Sequence, residues 1–269
     1  MERLSAKLGL GFLWLLSFLP YGFVARFGEG LGGLLYRIPN GRRRVVLANL
    51  RACFPEKSEA EREAMAHEVF RKVFRSFAER SFAWFASEKR LMRVVKIDDQ
   101  ANLPALHGQP HILVTLHLSG VEIGALALTD YLRKHVGNAG CSLYTRMANP
   151  VLDDAIKALQ LISDMDFGER DSEFVPFFGV PALTLNAIPR MASMTGAKVV
   201  PMYTEILPNY EGYALRILPA WENYPTGDLT ADTRRMNAFF EDAIRPRITE
   251  YYWVHKRFKH RPEGMPGIY

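Results

Sequence analysis

Apolar residues dominate the first forty positions and then recur in shorter, regular groups. Leu8 to Val24 (LGLGFLWLLSFLPYGFV) runs seventeen residues without a charge, at the lower limit of the roughly 20 apolar residues a spanning helix needs. Pro20 and Gly22 interrupt the run, and Arg26 and Glu29 close it. A second apolar stretch, Leu31 to Tyr36, precedes Arg37 and the triplet Arg42-Arg43-Arg44. Phe12, Trp14, Phe18, Tyr21 and Phe23 supply the aromatics that are common at membrane boundaries. No small-x-small cleavage site follows the apolar core, which argues against a removed signal peptide. Residues 1–40 are therefore expected to form an N-terminal apolar membrane-anchor helix that enters one leaflet or barely spans, and residues 41–269 the working domain. A buried helix of a soluble domain is the alternative. Next to such an anchor, the three arginines would meet anionic lipid at about 1 kcal/mol each.

Beyond residue 40 the pattern turns helical. Arg43 to Cys53 reads as one helix, stopped by Phe54-Pro55, and Ser58-Glu59-Ala60-Glu61 opens another with an acidic first turn and capping-box spacing. Met65, Val69, Val73, Phe77 and Phe82 follow largely at helical intervals. From residue 110 the texture changes. His111 to Leu116 is a short apolar, β-branched run that reads as a buried strand; Leu118-Ser119-Gly120 turns the chain, and Val121 to Arg133 is a helix. Leu159 to Ile162, Gly196 to Tyr203 and Tyr213 to Leu218 read as further strands, and Thr230 to Tyr251 as a helix. Continuous apolar strands alternating with helices predict an α/β fold, a mixed, mostly parallel sheet flanked by helices. No internal repeat or low-complexity segment is present.

Composition narrows the chemistry. With 48% hydrophobic and 23% charged residues, the chain is neither disordered nor polytopic. The 34 Lys and Arg exceed the 29 Asp and Glu, giving +5 and a sequence pI near 9.2, a surplus suited to an anionic membrane surface or an acidic partner. The aromatic–basic strand signature of single-stranded nucleic-acid modules is absent, so no nucleic-acid partner is expected. Two cysteines, Cys53 and Cys141, exclude a disulfide framework and a cysteine-built zinc site. His117 stands where a buried strand ends and a helix begins, the usual place for a site in open α/β sheets. Glu122 follows in the first turn of that helix, where its carboxylate can reach the imidazole and hold one tautomer. Such a histidine can take a proton from an alcohol while the carboxylate stabilises the imidazolium; a chance His–Glu pair at this spacing is the competing reading. Backbone N–H groups of the turn before the helix are candidate donors to an oxyanion. His107, His111 and His135 lack comparable context.

His117-Leu118-Ser119-Gly120-Val121-Glu122 resembles the HX4(D/E) motif of the late acyltransferases of lipid A biosynthesis, the lauroyl- and myristoyltransferase group. The likeness covers nearly the whole chain. It includes Asn49-Leu50 with Cys53-Phe54-Pro55-Glu56, Tyr144-Thr145-Arg146 with Asn149-Pro150, and Asp164-Met165-Asp166-Phe167-Gly168. It continues through Phe174 to Ala182 (FVPFFGVPA), Thr195-Gly196-Ala197 with Val200-Pro201, and the tail Trp253 to Lys259 (WVHKRFK). The 174–182 stretch and the tail are far more specific than the His–Glu pair.

This resemblance implies transfer of a fatty acyl chain from acyl carrier protein to a hydroxyl of a lipid A precursor, at the cytoplasmic face of a bacterial inner membrane. His117 would be the general base and Glu122 its partner, with direct attack on the thioester and no acyl-enzyme. Neither cysteine has the neighbours that a reactive thiolate needs. Arg146 resembles the arginine that related glycerolipid acyltransferases place on a substrate phosphate. Asp164 and Asp166 would orient acceptor or arginine groups; two carboxylates are too few for a metal site, and no cofactor is implied beyond the acyl-carrier donor. Lys256, Arg257 and Lys259 would meet acceptor phosphates or the acidic carrier protein. The alternatives are acyl transfer to another membrane lipid (a glycerolipid or a glycosylated inositol lipid) and a non-catalytic lipid-binding relative. One departure stands out. Only Val151 to Ser163 separates Asn149-Pro150 from Asp164, where the family places a much longer segment. The shortness is either a true deletion or a stretch missing from the chain as written, and the second is expected because losing a helical excursion beside the site should damage it. The mass of the purified protein decides: 30.6 kDa corresponds to a true deletion, and a heavier product to a missing stretch.

Overall fold

The apolar N-terminal run folds as two helices, not one. In the computed structural model, which describes residues 2–137, 168 and 171–269, α1 (Glu2–Leu16) ends before Pro20 and α2 (Tyr21–Tyr36) begins after it. Proline has no N–H to give the preceding turn and pushes the residue before it out of helix. Arg90 closes the end of α1, its guanidinium donating to the carbonyls of Ser17 and of Leu19, the latter at 2.8 Å. Phe12 on α1 then meets Phe27 on α2, ring centroids 6.1 Å apart. Among the described residues no helix is long and apolar enough to cross a membrane, which corrects the expected single anchor helix. The pair divides its side chains instead. Phe12, Trp14, Phe18 and Phe23 are exposed by 51%, 50%, 63% and 54%, whereas Val24 and Ala25 are fully buried.

The buried stripe of α2 lies along α4 (Glu59–Phe85). Gly28 and Gly32, one turn apart, allow the two backbones to touch. A Cβ at Gly28 would sit 2.6 Å from the Arg75 Cα, and one at Gly32 2.5 Å from the Phe70 carbonyl oxygen. Glu29, 4% exposed, is buried in this contact. Its carboxylate accepts from Arg71 at 2.9 Å, Lys72 at 3.3 Å, Arg75 at 3.1 Å and the Tyr210 hydroxyl at 3.0 Å. Arg75 also donates to Glu79 and to the Tyr21 hydroxyl, each at 2.9 Å. Burial by itself would raise the Glu29 carboxyl, but Lys72, Arg71, Tyr210 and Arg75 outweigh it and hold the group at about 2.

α3 (Gly41–Cys53) is capped by the Asn40 side chain, and α4 starts with the expected Ser58–Glu61 capping box. After the short α5 (Glu88–Leu91), the strands in chain order are β1 (Val95–Asp99), β2 (His111–Val114), β3 (Ser172–Phe177), β4 (Val180–Leu185), β5 (Lys198–Ile206) and β6 (Tyr213–Ile217). The helices between and after them are α6 (Val121–His135), α7 (Ala187–Thr195) and α8 (Leu229–Ile244). Four strands form a mixed sheet in the order β1-β6-β5-β2, with β1/β6 and β2/β5 parallel and β5/β6 antiparallel. β5 pairs with β2 through Pro201 and with β6 from Met202 onward. Proline therefore sits where the strand changes partners, and its missing N–H leaves no gap in either ladder. Alternation along β5 sends Val199 toward α3, α4 and α8 and Val200 and Met202 toward α2 and α6, so both faces are covered. The expected strand at Leu159–Ile162 lies outside the described residues.

The Phe174–Ala182 stretch is a second, two-stranded sheet, β3 against β4. Its turn is Phe178-Gly179 with φ of 50° and 77°, both positive as a type I′ hairpin turn requires. A bulky residue there is strained, and the Phe178 ring is held against Phe54 and Trp253 at centroid distances of 5.0 and 6.1 Å.

Glu29→Gln leaves the buried Arg75 without its carboxylate on α2 and is expected to cost about 3–5 kcal/mol of stability at pH 7. The folded carboxyl titrates near 2 and an unperturbed one near 4.5. The stabilisation is therefore complete above the higher value and is lost as pH falls toward the lower one. Urea unfolding in detergent micelles should show a large wild-type advantage at pH 7 that shrinks steadily between pH 4.5 and 2.

Candidate active site

His117 lies three residues beyond the end of β2, at the carboxyl end of the parallel β2/β5 pair and before the first turn of α6. Its loop is pinned by the segment that follows α8. The Tyr252 N–H donates to the His117 carbonyl at 3.0 Å, and the Ser119 N–H to the Glu250 carbonyl at 2.9 Å. The Ser119 hydroxyl reaches the same carbonyl at 3.0 Å. Leu118 and Tyr251 thus form an isolated antiparallel bridge, and both are buried. Glu250 also ties this strap to the sheet, accepting from the Ile206 N–H at 2.9 Å. Burial pushes its carboxyl above the ordinary range, against the pull of that N–H and of Arg247. The Tyr252 ring lies beside the His117 ring, centroids 6.1 Å apart and tilted by 31°.

Three of the turn's amides are engaged: Leu118, Ser119 and Val121 donate to the carbonyls of Leu116, Glu250 and Leu118. Gly120, the residue before α6, is packed so tightly that a Cβ would lie 2.4 Å from the Tyr213 ring. Glu122, half-buried in the first turn of α6, is gripped by Arg80 of α4. The Arg80 Nε donates to both carboxylate oxygens at 3.1 and 3.0 Å, and a terminal nitrogen to one of them at 2.7 Å. The guanidinium is itself held over the Phe77 ring at 4.4 Å and near Trp84 at 5.7 Å. A fork bonded to both oxygens fixes the carboxylate plane as well as its charge. Sequence reading missed Arg80, although Phe77, Arg80 and Trp84 share one face of α4 by spacing.

Next to this turn opens a groove of about 1360 Å³ between α3 and α4. Phe70, Val73, Phe74 and Phe77 line one side, Tyr252, whose ring lies beside His117, also lines the groove, and the exposed Arg42, Arg44 and Lys256 stand on the rim. Lys256 is exposed, its ammonium 5.4 Å from the Tyr269 ring centroid. Arg257 is different, and its expected role on a substrate phosphate is corrected. Its side chain is fully buried, donating at 2.7 Å to the Leu183 carbonyl and to the Thr184 hydroxyl of β4, with the guanidinium over Phe177. Arg146, Asp164, Asp166 and Cys141 lie outside the described residues. Cys53 is buried, and burial pushes its thiol well above the ordinary range against a weaker pull from Arg257. Among the described residues no three His, Cys, Asp or Glu side chains are placed to share a metal ion.

Comparison with known proteins gives this geometry a context. The family described as bacterial lipid A biosynthesis acyltransferase matches residues 2–160 and 157–260. The "Lipid A biosynthesis lauroyltransferase" of Escherichia coli (strain K12) is 32% identical over 97% of this chain and 94% of its own length. The "Lipid A biosynthesis palmitoleoyltransferase" of the same organism is 29% identical over 97% and 93%, and its "Lipid A biosynthesis myristoyltransferase" 27% over 90% and 81%. The first alignment spans 292 positions, more than the 269 of this chain, so that relative has residues without counterparts here. The family match breaks at 157–160, inside the short Val151–Ser163 connection.

Arg80→Ala frees the Glu122 carboxylate and is expected to lower kcat about 10²-fold through loss of orientation. Arg80→Lys should recover only part of the rate, because an ammonium cannot form the fork. Steady-state turnover, read beside an unchanged circular-dichroism spectrum, checks both.

Proposed function

The chain belongs to the bacterial lipid A biosynthesis acyltransferase family, and from that membership we propose that it moves a fatty acyl chain from acyl carrier protein to a hydroxyl of a lipid A precursor. His117 removes the proton of the acceptor hydroxyl as its oxygen attacks the thioester carbonyl. The tetrahedral intermediate then collapses, the carbon–sulfur bond breaks, and the imidazolium returns the proton to the leaving thiolate. Glu122, braced by Arg80, supplies the negative charge that favours the imidazolium. No acyl-enzyme intervenes. The observation that carries this reading is the place of His117, on a loop pinned by Glu250 and Tyr252, with the Tyr252 ring beside it lining an apolar groove. A rigid base beside a hydrocarbon slot suits a reaction whose two substrates both carry long chains.

The α1–α2 pair fits a membrane setting without spanning. Its exposed Phe12, Trp14, Phe18, Phe23 and Leu34 would enter the headgroup–acyl boundary, as interfacial helices do. Arg37, Arg42 and Arg44 would then meet the anionic cytoplasmic leaflet of an inner membrane.

His117→Ala should abolish transfer, a loss of at least the 10²–10⁴-fold typical of general-base catalysis, while the protein stays in the membrane fraction. Mass spectrometry of lipid A from cells with and without the gene should show one acyl chain fewer in its absence. Unchanged lipid A with an altered phospholipid profile would move the acceptor to another membrane lipid, and retained turnover in His117→Ala would remove this base from the mechanism.

A further inference from the structure

We propose that the groove between α3 and α4 receives the hydrocarbon chains of the acceptor lipid sideways from the bilayer, and that Arg42, Arg44 and Lys256 hold that lipid's phosphate. The inference rests on the transfer reaction proposed above and assigns its acceptor side.

The residues that line the groove point the same way. One wall is a single apolar face of α4, Phe70, Val73, Phe74 and Phe77, which leads to Tyr252 and so to the His117 ring. Leu35 of α2 and Ile38, two residues past its end, also line the groove. Ile38 is 54% exposed and Leu34 58%, so this part of the lining continues the apolar face of the α1–α2 pair. A chain already in a bilayer could slide from that face to the base without crossing water, which matters when each buried methylene is worth about 0.8 kcal/mol. At about 1360 Å³ the space exceeds the roughly 300–1,000 Å³ of ordinary small-molecule sites, enough for more than one chain.

The charged side chains that line the groove are all cationic. Among the described residues, Arg42, Arg44 and Lys256 have no carboxylate within ion-pair reach, whereas Arg51 on the same rim is paired with Glu59 at 3.0 Å. Arg42 is oriented from behind, one nitrogen donating to the Val254 carbonyl at 3.0 Å. Three cations grouped at the mouth of an apolar slot complement an anion that bears hydrocarbon, the constitution of a phosphorylated lipid. An acidic carrier protein would be met by cations spread over an open polar face.

Two measurements test the assignment on the full chain. In steady-state transfer, Arg44→Glu with Lys256→Glu should raise the KM for the lipid acceptor about 10- to 100-fold, as loss of charged hydrogen bonds implies, and leave the KM for the acyl-carrier donor unchanged. Ala48→Trp, which fills the groove from α3, should lower kcat/KM for the acceptor in the same selective way. A rise in donor KM with acceptor KM constant would put the carrier protein on this rim and overturn the proposal, and so would no change in either. The second measurement needs no turnover. His117→Ala protein in nonionic micelles should bind a fluorescent phosphatidic acid, bind the matching diacylglycerol far more weakly, and lose the phosphatidic acid when the two charges are reversed. Equal binding by the charge-reversed protein, or full displacement by inorganic phosphate alone, overturns the lipid site. Binding that persists while the wild type transfers no acyl group to any lipid would instead refute the proposed reaction and leave the groove assignment standing.

Discussion

A carboxylate on a helix whose other face is apolar must find cations close by or lose its charge, and Glu29 finds Arg71, Lys72 and Arg75 one helix away. The contact demands that α2 and α4 touch backbone to backbone, which Gly28 and Gly32 permit. From Arg75 the bonding continues to Glu79, and Glu79 accepts from the hydroxyl of Tyr213 on β6. The Tyr213 ring in turn leaves no room for a side chain at Gly120, three residues from His117. Charge that starts at the N-terminal helices is thus neutralised step by step down to the turn that carries His117. Fully bonded buried networks of this kind are rigid, because each member left alone would be expensive.

That rigidity explains how the site is held from two directions. The strap of Glu250 and Tyr252 fixes the main chain of the His117 loop, and α4 fixes the Glu122 side chain through Arg80. Neither brace comes from α6 itself, and both arrive from residues distant in sequence. The two catalytic candidates can therefore keep their geometry although each is only half-buried and a wide groove begins at the neighbouring Tyr252.

Much of this was legible in the chain. The apolar runs at 111–116, 196–203 and 213–218 became β2, β5 and β6, and the capping box opened α4 where expected. β1, Val-Lys-Ile-Asp-Asp, was not legible, since an edge strand with one buried residue carries little hydrophobic signal. The break at Pro20 was visible, but not the fold-back it causes, which depends on Arg90 and on the contact with α4. Lys256 and Arg257 looked alike as neighbouring basic residues. Only the packing of β4 separates them, drawing one inside to bond main-chain and hydroxyl oxygen while the other stays in solvent. In each case local pattern fixed the element and long-range partners decided its use.

Helix α4 meets every one of these parts along 27 residues, about 40 Å at 1.5 Å per residue. Positions 71, 72 and 75 meet Glu29, positions 70, 73, 74 and 77 wall the groove, and position 80 grips Glu122. A rod of this kind accepts many substitutions but no change of length. One inserted or deleted residue would rotate everything beyond it by about 100°, uncoupling the groove from the carboxylate in a single step. The segment from 59 to 85 should therefore keep a constant residue count among working relatives, in contrast to the connection after Pro150, where the family match breaks.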